Sequence, residues 1–189
     1  EDFLGITYIE NNSKEDVLTS SHEADDNYGV LTPEEGQRKS KVDIPDWIKR
    51  IIEDIATLKN DSEHLERDHE ELAFTFFGLL GYNRFVDIKY QRGNIDIRID
   101  KNNNPMIVIE VKSDWALSRQ NRRALDQAFR YALESGARYV IVTNGDYYCL
   151  YDRQKGLSYE EHFVGDFQLS NLSEEGLKLI EMLKKSNLE

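Results

Sequence analysis

Apolar positions over residues 45–59 recur at helical spacing. Trp47, Ile48, Ile51, Ile52, Ile55 and Leu58 fall on one stripe, the mark of an amphipathic helix, and Pro45 suits its first turn. A second helix is predicted from a cap at Asp61 or Ser62 to Leu80, with Gly81 as its stop. Its core face would be Leu65, Leu72, Phe76, Leu79 and Leu80. The period then shortens to two. Strands are predicted over residues 84–90, 94–100 and 106–112, separated by a turn at 91–93 and a loop at 101–105. A helix over 118–134 ends at Gly136. Residues 138–143 read as an apolar run, as in a strand covered on both faces. Asn144-Gly145 is a strong hairpin turn into a strand over 147–151. A last helix over 173–185 carries Leu177, Leu179, Ile180 and Leu183. The helix between residues 112 and 138 is long enough for a crossover, so its flanking strands should be parallel. The expected class is α/β: a mixed sheet of about five strands with helices on both faces.

Residues 1–45 break this patterning. They hold one apolar patch (FLGITYI) in a stretch rich in Asn, Ser, Asp and Glu, with eleven acids against four bases. The reading is an acidic, partly ordered arm, leaving residues 46–189 as the domain. With 189 residues and 39% hydrophobic content, one core can be filled. No apolar run is long enough for a transmembrane helix, and no basic segment leads into an apolar one as in a secretion signal. The single Cys149 sits in an aromatic strand-like run and reads as a core thiol. One cysteine makes no internal disulfide, which fits a reducing cytoplasm.

The formal net charge of -12 argues against a generic nucleic-acid binder. The charge is uneven, however: residues 84–130 hold ten bases and six acids. The local field decides what docks at a cleft.

The chemistry concentrates in residues 93–112, GNIDIRIDKNNNPMIVIEVK. Strand side chains alternate between faces. Ile95, Ile97 and Ile99 share one face of the second strand, and Asp96 takes the other. Ile107, Ile109 and Val111 share one face of the third, and Glu110 and Lys112 take the other. If the isoleucines enter one core layer, Asp96, Glu110 and Lys112 emerge together on the opposite side. Mg2+ takes oxygen ligands and needs only one or two carboxylates. Asp96 and Glu110 can supply them, the Val111 carbonyl a third oxygen, and Lys112 can orient a water or stabilise developing negative charge. The structural alternative is a cross-strand ion pair of Asp96 with Lys112, with Glu110 at the exposed sheet end. Two further features bear on the choice. Gln127 and Tyr131, four apart on the crossover helix, share a face, with Arg123 and Arg130 nearby. Glu70 or Glu71, midway along the second helix, could join a metal shell or lie on the surface.

Taken in order, GY (Gly81, Tyr82), RGNID (Arg92 to Asp96), IVIEVK (Ile107 to Lys112), QAFRYA (Gln127 to Ala132) and RYVIVTNGDYYCLYD (Arg138 to Asp152) resemble the PD-(D/E)xK nuclease superfamily. The likeness is to the N-terminal nuclease domain of type I restriction enzyme R subunits, over roughly residues 66–155. Ile95 stands where the motif name has Pro. The resemblance implies a restriction-endonuclease-like sheet and DNA cleavage dependent on Mg2+ (or Mn2+). Asp96 and Glu110 would be metal ligands, Lys112 the catalytic lysine, and Gln127 and Tyr131 an accessory helix motif. It implies DNA as partner, together with motor, specificity or methylation subunits of a restriction system. No G-x-x-x-x-G-K-[ST] motif occurs, so ATP-driven translocation is not encoded here. Two other readings stay open on the residues alone. One is a non-catalytic nuclease-fold binding or assembly module. The other is an acidic regulatory or DNA-mimicking protein.

Overall fold

The computed structural model describes residues 43–92 and 94–188. The arm expected over residues 1–45 lies outside them except for its last three positions. The elements run α1 (Asp46–Lys59), α2 (Glu66–Leu79), β1 (Ile88–Arg92), β2 (Ile95–Lys101), β3 (Asn104–Val111), α3 (Arg122–Ser135), β4 (Tyr139–Thr143), β5 (Tyr147–Asp152), α4 (Tyr159–His162), β6 (Phe163–Gln168), a 3-10 turn (Leu169–Asn171) and α5 (Glu174–Leu183). The six strands form one sheet in sequential order. Only β3 and β4 are parallel, joined by the α3 crossover, and every other neighbouring pair is antiparallel. The α/β class, the crossover and the parallel pair are as the pattern predicts.

The sheet has six strands rather than about five. Strand β6 (FVGDFQ) carries Gly165 and Asp166 in its middle and shows no alternation to read. It forms because β5 offers an edge and because Gly165 lets Leu179 of α5 approach. A Cβ there would lie 2.8 Å from a Leu179 methyl. Two boundaries also move. Residues 84–87 are not strand, because the Asn83 side chain accepts from the backbone N–H of Phe85 and Val86 and closes an Asx turn. The loop predicted over 101–105 shrinks to the two-residue turn Asn102-Asn103. Both residues have positive φ, 53° and 63°, as a hairpin twisted with its strands requires.

The sheet separates two cores. One face (Ile97, Ile99, Ile107, Ile109, Val111, Ile141, Tyr148, Leu150) packs on α1, α2 and α5. The other (Val108, Val140, Val142, Cys149, Tyr151) packs on α3. Strand β4 is therefore buried throughout, and Cys149 is a buried free thiol. Ile95 departs from the expected alternation and packs on the α3 side. In α2, Leu65 and Leu79 are exposed, and Ala73 and Phe77 join Leu72, Phe76 and Leu80 in the core. The expected cap moves as well: Asp68 accepts from the Leu65 N–H at the helix start, and Asp61 takes only the Glu63 N–H.

Candidate metal and phosphodiester site

Glu110 of β3 lies on the α3 side of the sheet, opposite the isoleucine face, and Asp96 stands near the start of β2, where Ile95 breaks the alternation. Glu110 sits in register with Val142 of β4. Lys112 follows the end of β3, where its backbone N–H is still held by the Thr143 carbonyl at 2.9 Å. One Asp96 carboxylate oxygen, Oδ2, accepts from the Val111 N–H at 2.8 Å. The Lys112 ammonium donates to Glu110 Oε1 at 2.6 Å and lies 3.9 Å from Glu66 at the start of α2. The spacing thus brings the aspartate, the glutamate and the lysine together. The simple ion-pair alternative is corrected in both parts. Lys112 bonds Glu110 rather than Asp96, and Glu110 is fully buried rather than exposed at a sheet end.

A buried carboxylate with a single donor is under electrostatic load. Glu110 Oε2 has no hydrogen-bond partner among the described residues. Burial raises the Glu110 pKa to about 7 against the pull of Lys112, with Asp96 adding to the rise. Asp96 is raised too, by burial first, although the Val111 N–H and Lys112 oppose it and Glu70 and Glu66 add to it. For Lys112, burial works downward, but Glu110, Glu66 and Asp96 together outweigh it and raise its pKa. The lysine is therefore a fixed cation.

The carboxylates of α2 divide between the cluster and the surface. Glu70 is buried and accepts from the Tyr90 hydroxyl of β1 at 2.5 Å. Its charge is felt at Asp96. Glu71 faces elsewhere: its carboxylate is 62% exposed, 3.6 Å from Arg84. The acid of α2 nearest Lys112 is Glu66, which sequence reasoning missed. The available signal was the Glu66/Glu70 pair, four apart and so on one helix face.

A second group missed in the sequence adjoins it. His69 is fully buried, and burial lowers its pKa. Its Nδ1 lies 2.7 Å from the Asn144 carbonyl, which can only accept, so Nδ1 donates. Neutral Nε2 then accepts from His64 Nδ1 at 2.9 Å. Trp115 packs against both rings. The two histidines are five apart, with no helical or strand period to mark them.

On α3, Tyr131 is buried against the sheet, and the Arg130 guanidinium lies 5.0 Å from its ring centre. Gln127 is half-buried. Neither Gln127 nor Tyr131 hydrogen-bonds to Asp96, Glu110 or Lys112 among the described residues. Arg123 is exposed.

Residues 78–164 match the family described as the type I restriction enzyme R protein N terminus (HSDR_N). The matched stretch, a little under half of the chain, runs from the end of α2 into β6 and contains Asp96, Glu110, Lys112, Gln127 and Tyr131. It supports a restriction-enzyme-related domain in a restriction-system context. No curated protein and no solved structure matches the chain. Among the described residues, no helix is long and apolar enough to cross a membrane. No three His, Cys, Asp or Glu side chains among them form a metal cluster by themselves. A hard divalent cation that keeps waters and takes substrate oxygens needs fewer protein ligands than that.

Proposed function

We propose that this domain hydrolyses DNA phosphodiesters with the aid of Mg2+ or Mn2+, as the nuclease part of a type I restriction system. The observation that carries the reading is the Glu110 carboxylate: buried, bonded on one oxygen to Lys112 and orphaned on the other, with Asp96 beside it. Native proteins rarely leave such an atom without a partner. The donor set is hard oxygen, which fits Mg2+ or Mn2+ and not a soft metal. Asp96 Oδ1 and Glu110 Oε2 would hold the ion with the Val111 carbonyl, and Glu66 and Glu70 add negative potential around it. Bound there, the ion supplies positive charge to a phosphate oxygen and acidifies a water.

The chain's own residues have distinct tasks. Lys112, kept protonated by three carboxylates, is a poor base and a good counter-charge. It stabilises the negative charge that builds on the phosphoryl oxygens as water attacks. Its hold on Glu110 Oε1 fixes that carboxylate's rotamer and leaves Oε2 as the open ligand. The Val111 N–H does the same for Asp96, engaging Oδ2 and leaving Oδ1. Gln127, on the helix over this face, would position substrate rather than react.

The test is cleavage of supercoiled plasmid with Mg2+ or Mn2+ by the wild type and by Asp96→Ala, Glu110→Ala and Lys112→Ala. Each substitution is expected to abolish cleavage with the circular dichroism spectrum intact, and Gln127→Ala to slow it less. Wild-type cleavage by Asp96→Ala would refute the assignment. Thermal stabilisation by Mn2+ in the wild type, absent in Asp96→Ala, is the metal readout. Equal melting curves in both would leave a non-catalytic assembly module as the better reading.

A further inference from the structure

Away from the carboxylate cluster, a cavity of about 280 Å3 opens between the loop leading into α3, the first turn of α3, and α4 with the start of β6. Arg119, Arg122, Tyr151, Tyr159 and Phe163 line it, with Glu160 also on its wall. The arginines lie over aromatic faces. The Arg119 guanidinium is 5.3 Å from the Phe163 ring centre, and that of Arg122 is 5.4 Å from Tyr159. Their charges are handled differently. Arg122 is neutralised by Glu160 at 2.6 Å. Arg119 has neither an ion pair nor a hydrogen bond from its guanidinium among the described residues, and it is exposed.

The aromatic wall is held from behind. The Tyr159 hydroxyl donates to Asp126 at 2.6 Å, and its ring packs on Phe129 with centres 4.6 Å apart. Phe163 packs edge-on to Tyr151 at 5.7 Å. Ser158 and Glu161 cap the start of the short helix α4 reciprocally, each side chain accepting from the other's backbone N–H. The arrangement is a recess with an exposed cation, Arg119, at one side and, at the other, the Arg122 guanidinium held over Tyr159 by Glu160. Such a recess suits an unpaired nucleotide: every base has a π face to stack, and each phosphate seeks a guanidinium. A duplex has its bases already stacked on one another and gains only the charge. The recess is linked to the proposed reaction centre through the chain. Lys112 and Arg119 stand at the two ends of one loop, seven residues and so at most ~25 Å apart.

The geometry points to a nucleotide subsite: this cavity holds one unpaired nucleotide of a DNA strand, its phosphate on Arg119 and its base stacked on the Arg122 guanidinium that Tyr159 backs. The inference rests on DNA as the substrate and deepens that reading from double-stranded cleavage to single-strand engagement. Strand binding is measured in EDTA by fluorescence anisotropy, with a labelled dT12 strand, a twelve-base-pair duplex and an abasic strand of equal length. The wild type is expected to bind dT12 more tightly than either the duplex or the abasic strand. Arg119→Glu, a surface change that leaves the core untouched, is expected to weaken dT12 by about tenfold or more at low salt. It should flatten the salt dependence by about 0.7 in logarithmic slope, one single-strand phosphate contact. Arg119→Lys should recover part of the affinity, and Tyr159→Leu should abolish the preference for dT12 over the abasic strand. Unchanged dT12 affinity in Arg119→Glu overturns the subsite, and so does equal binding of the abasic strand to the wild type. A phosphoserine peptide competing as well as dT12 overturns the choice of DNA as occupant. No cleavage occurs in EDTA, so the subsite fails or stands separately from the plasmid result with Asp96→Ala.

Discussion

Glu110→Gln isolates the electrostatic load at the cluster, because it keeps the side chain's shape and removes its charge. The Glu110 carboxyl moves from an ordinary 4.5 to about 7 on folding. Below pH 4.5 it is neutral in both the folded and the unfolded chain and costs nothing. Above that the unfolded chain ionises first, so stability falls as pH rises. The full penalty is reached once the folded carboxyl also ionises, above about 7. At about 1.4 kcal/mol per pH unit, the total is roughly 3 kcal/mol, of which about 2 kcal/mol falls between pH 5.5 and 8.5. The glutamine variant lacks this slope. Its stability relative to wild type should rise by about 2 kcal/mol over that interval, or roughly 4–8 °C in melting temperature for a domain of this size. The assay is urea unfolding followed by circular dichroism at pH 5.5, 7.0 and 8.5 in EDTA. Parallel pH curves for the two proteins would refute the argument, since they would mean that Glu110 is solvated or paired well enough to ionise normally. Adding Mn2+ at pH 8.5 should reduce the difference, because a cation bound only by the wild type offsets the same charge.

Other positions test the same physics. Lys112→Met takes away the hydrogen-bond donor of Glu110 and should cost roughly 1–3 kcal/mol at pH 8. The loss should be smaller at pH 5.5, where Glu110 can hold a proton; a pH-independent loss in urea titrations would count against the pair. Asp146 is buried and accepts from Lys59 at 2.6 Å, Gln168 at 2.9 Å, and the Ser170 hydroxyl and N–H at 2.7 and 2.8 Å. Asp146→Ala should destabilise by about 1–3 kcal/mol at neutral pH, because the hydrogen bonds it accepts are lost while Lys59 can turn to solvent. Burial works to raise the Asp146 pKa, but these partners outweigh it and lower it. Its contribution is therefore present above the ordinary carboxylate range and is lost as acid titrates it. A thermal shift of less than a degree at pH 7 would contradict this. Gly145→Ala meets both a φ of 84° and a Leu72 side chain 2.8 Å from the new Cβ. It should cost about 1–3 kcal/mol, and an unchanged melting temperature would show that the turn relaxes freely.

Much of this architecture is legible in the chain because local periodicity is a local property. The stripe of α1, the apolar run of β4, Gly136 at the end of α3 and the Asn144-Gly145 turn each announce themselves within a dozen residues. The alternation of Ile97, Ile99, Ile107 and Ile109 also brings out Asp96 and Glu110 as neighbours on adjacent strands, although Ile95 breaks the pattern in the structure. Strand β6 was not legible, because its pairing depends on an edge supplied by β5 and on Leu179 from another helix. The Asn83 turn was hidden for the opposite reason: a side chain captured backbone donors that an apolar pattern had assigned to a strand.

The sequence pointed to two carboxylates and a lysine near one another on adjacent strands, with an Asp96–Lys112 ion pair as the open alternative. Tertiary structure alone decided how they meet. Lys112 bonds Glu110, the Val111 N–H engages Asp96, and Glu66 and Glu70, not Glu71, provide the surrounding negative charge. Those choices depend on where α2 crosses the end of the sheet and on how deeply Glu110 is covered. Hydrogen-bond partners and desolvation are properties of distance in three dimensions, and spacing along a chain does not encode them.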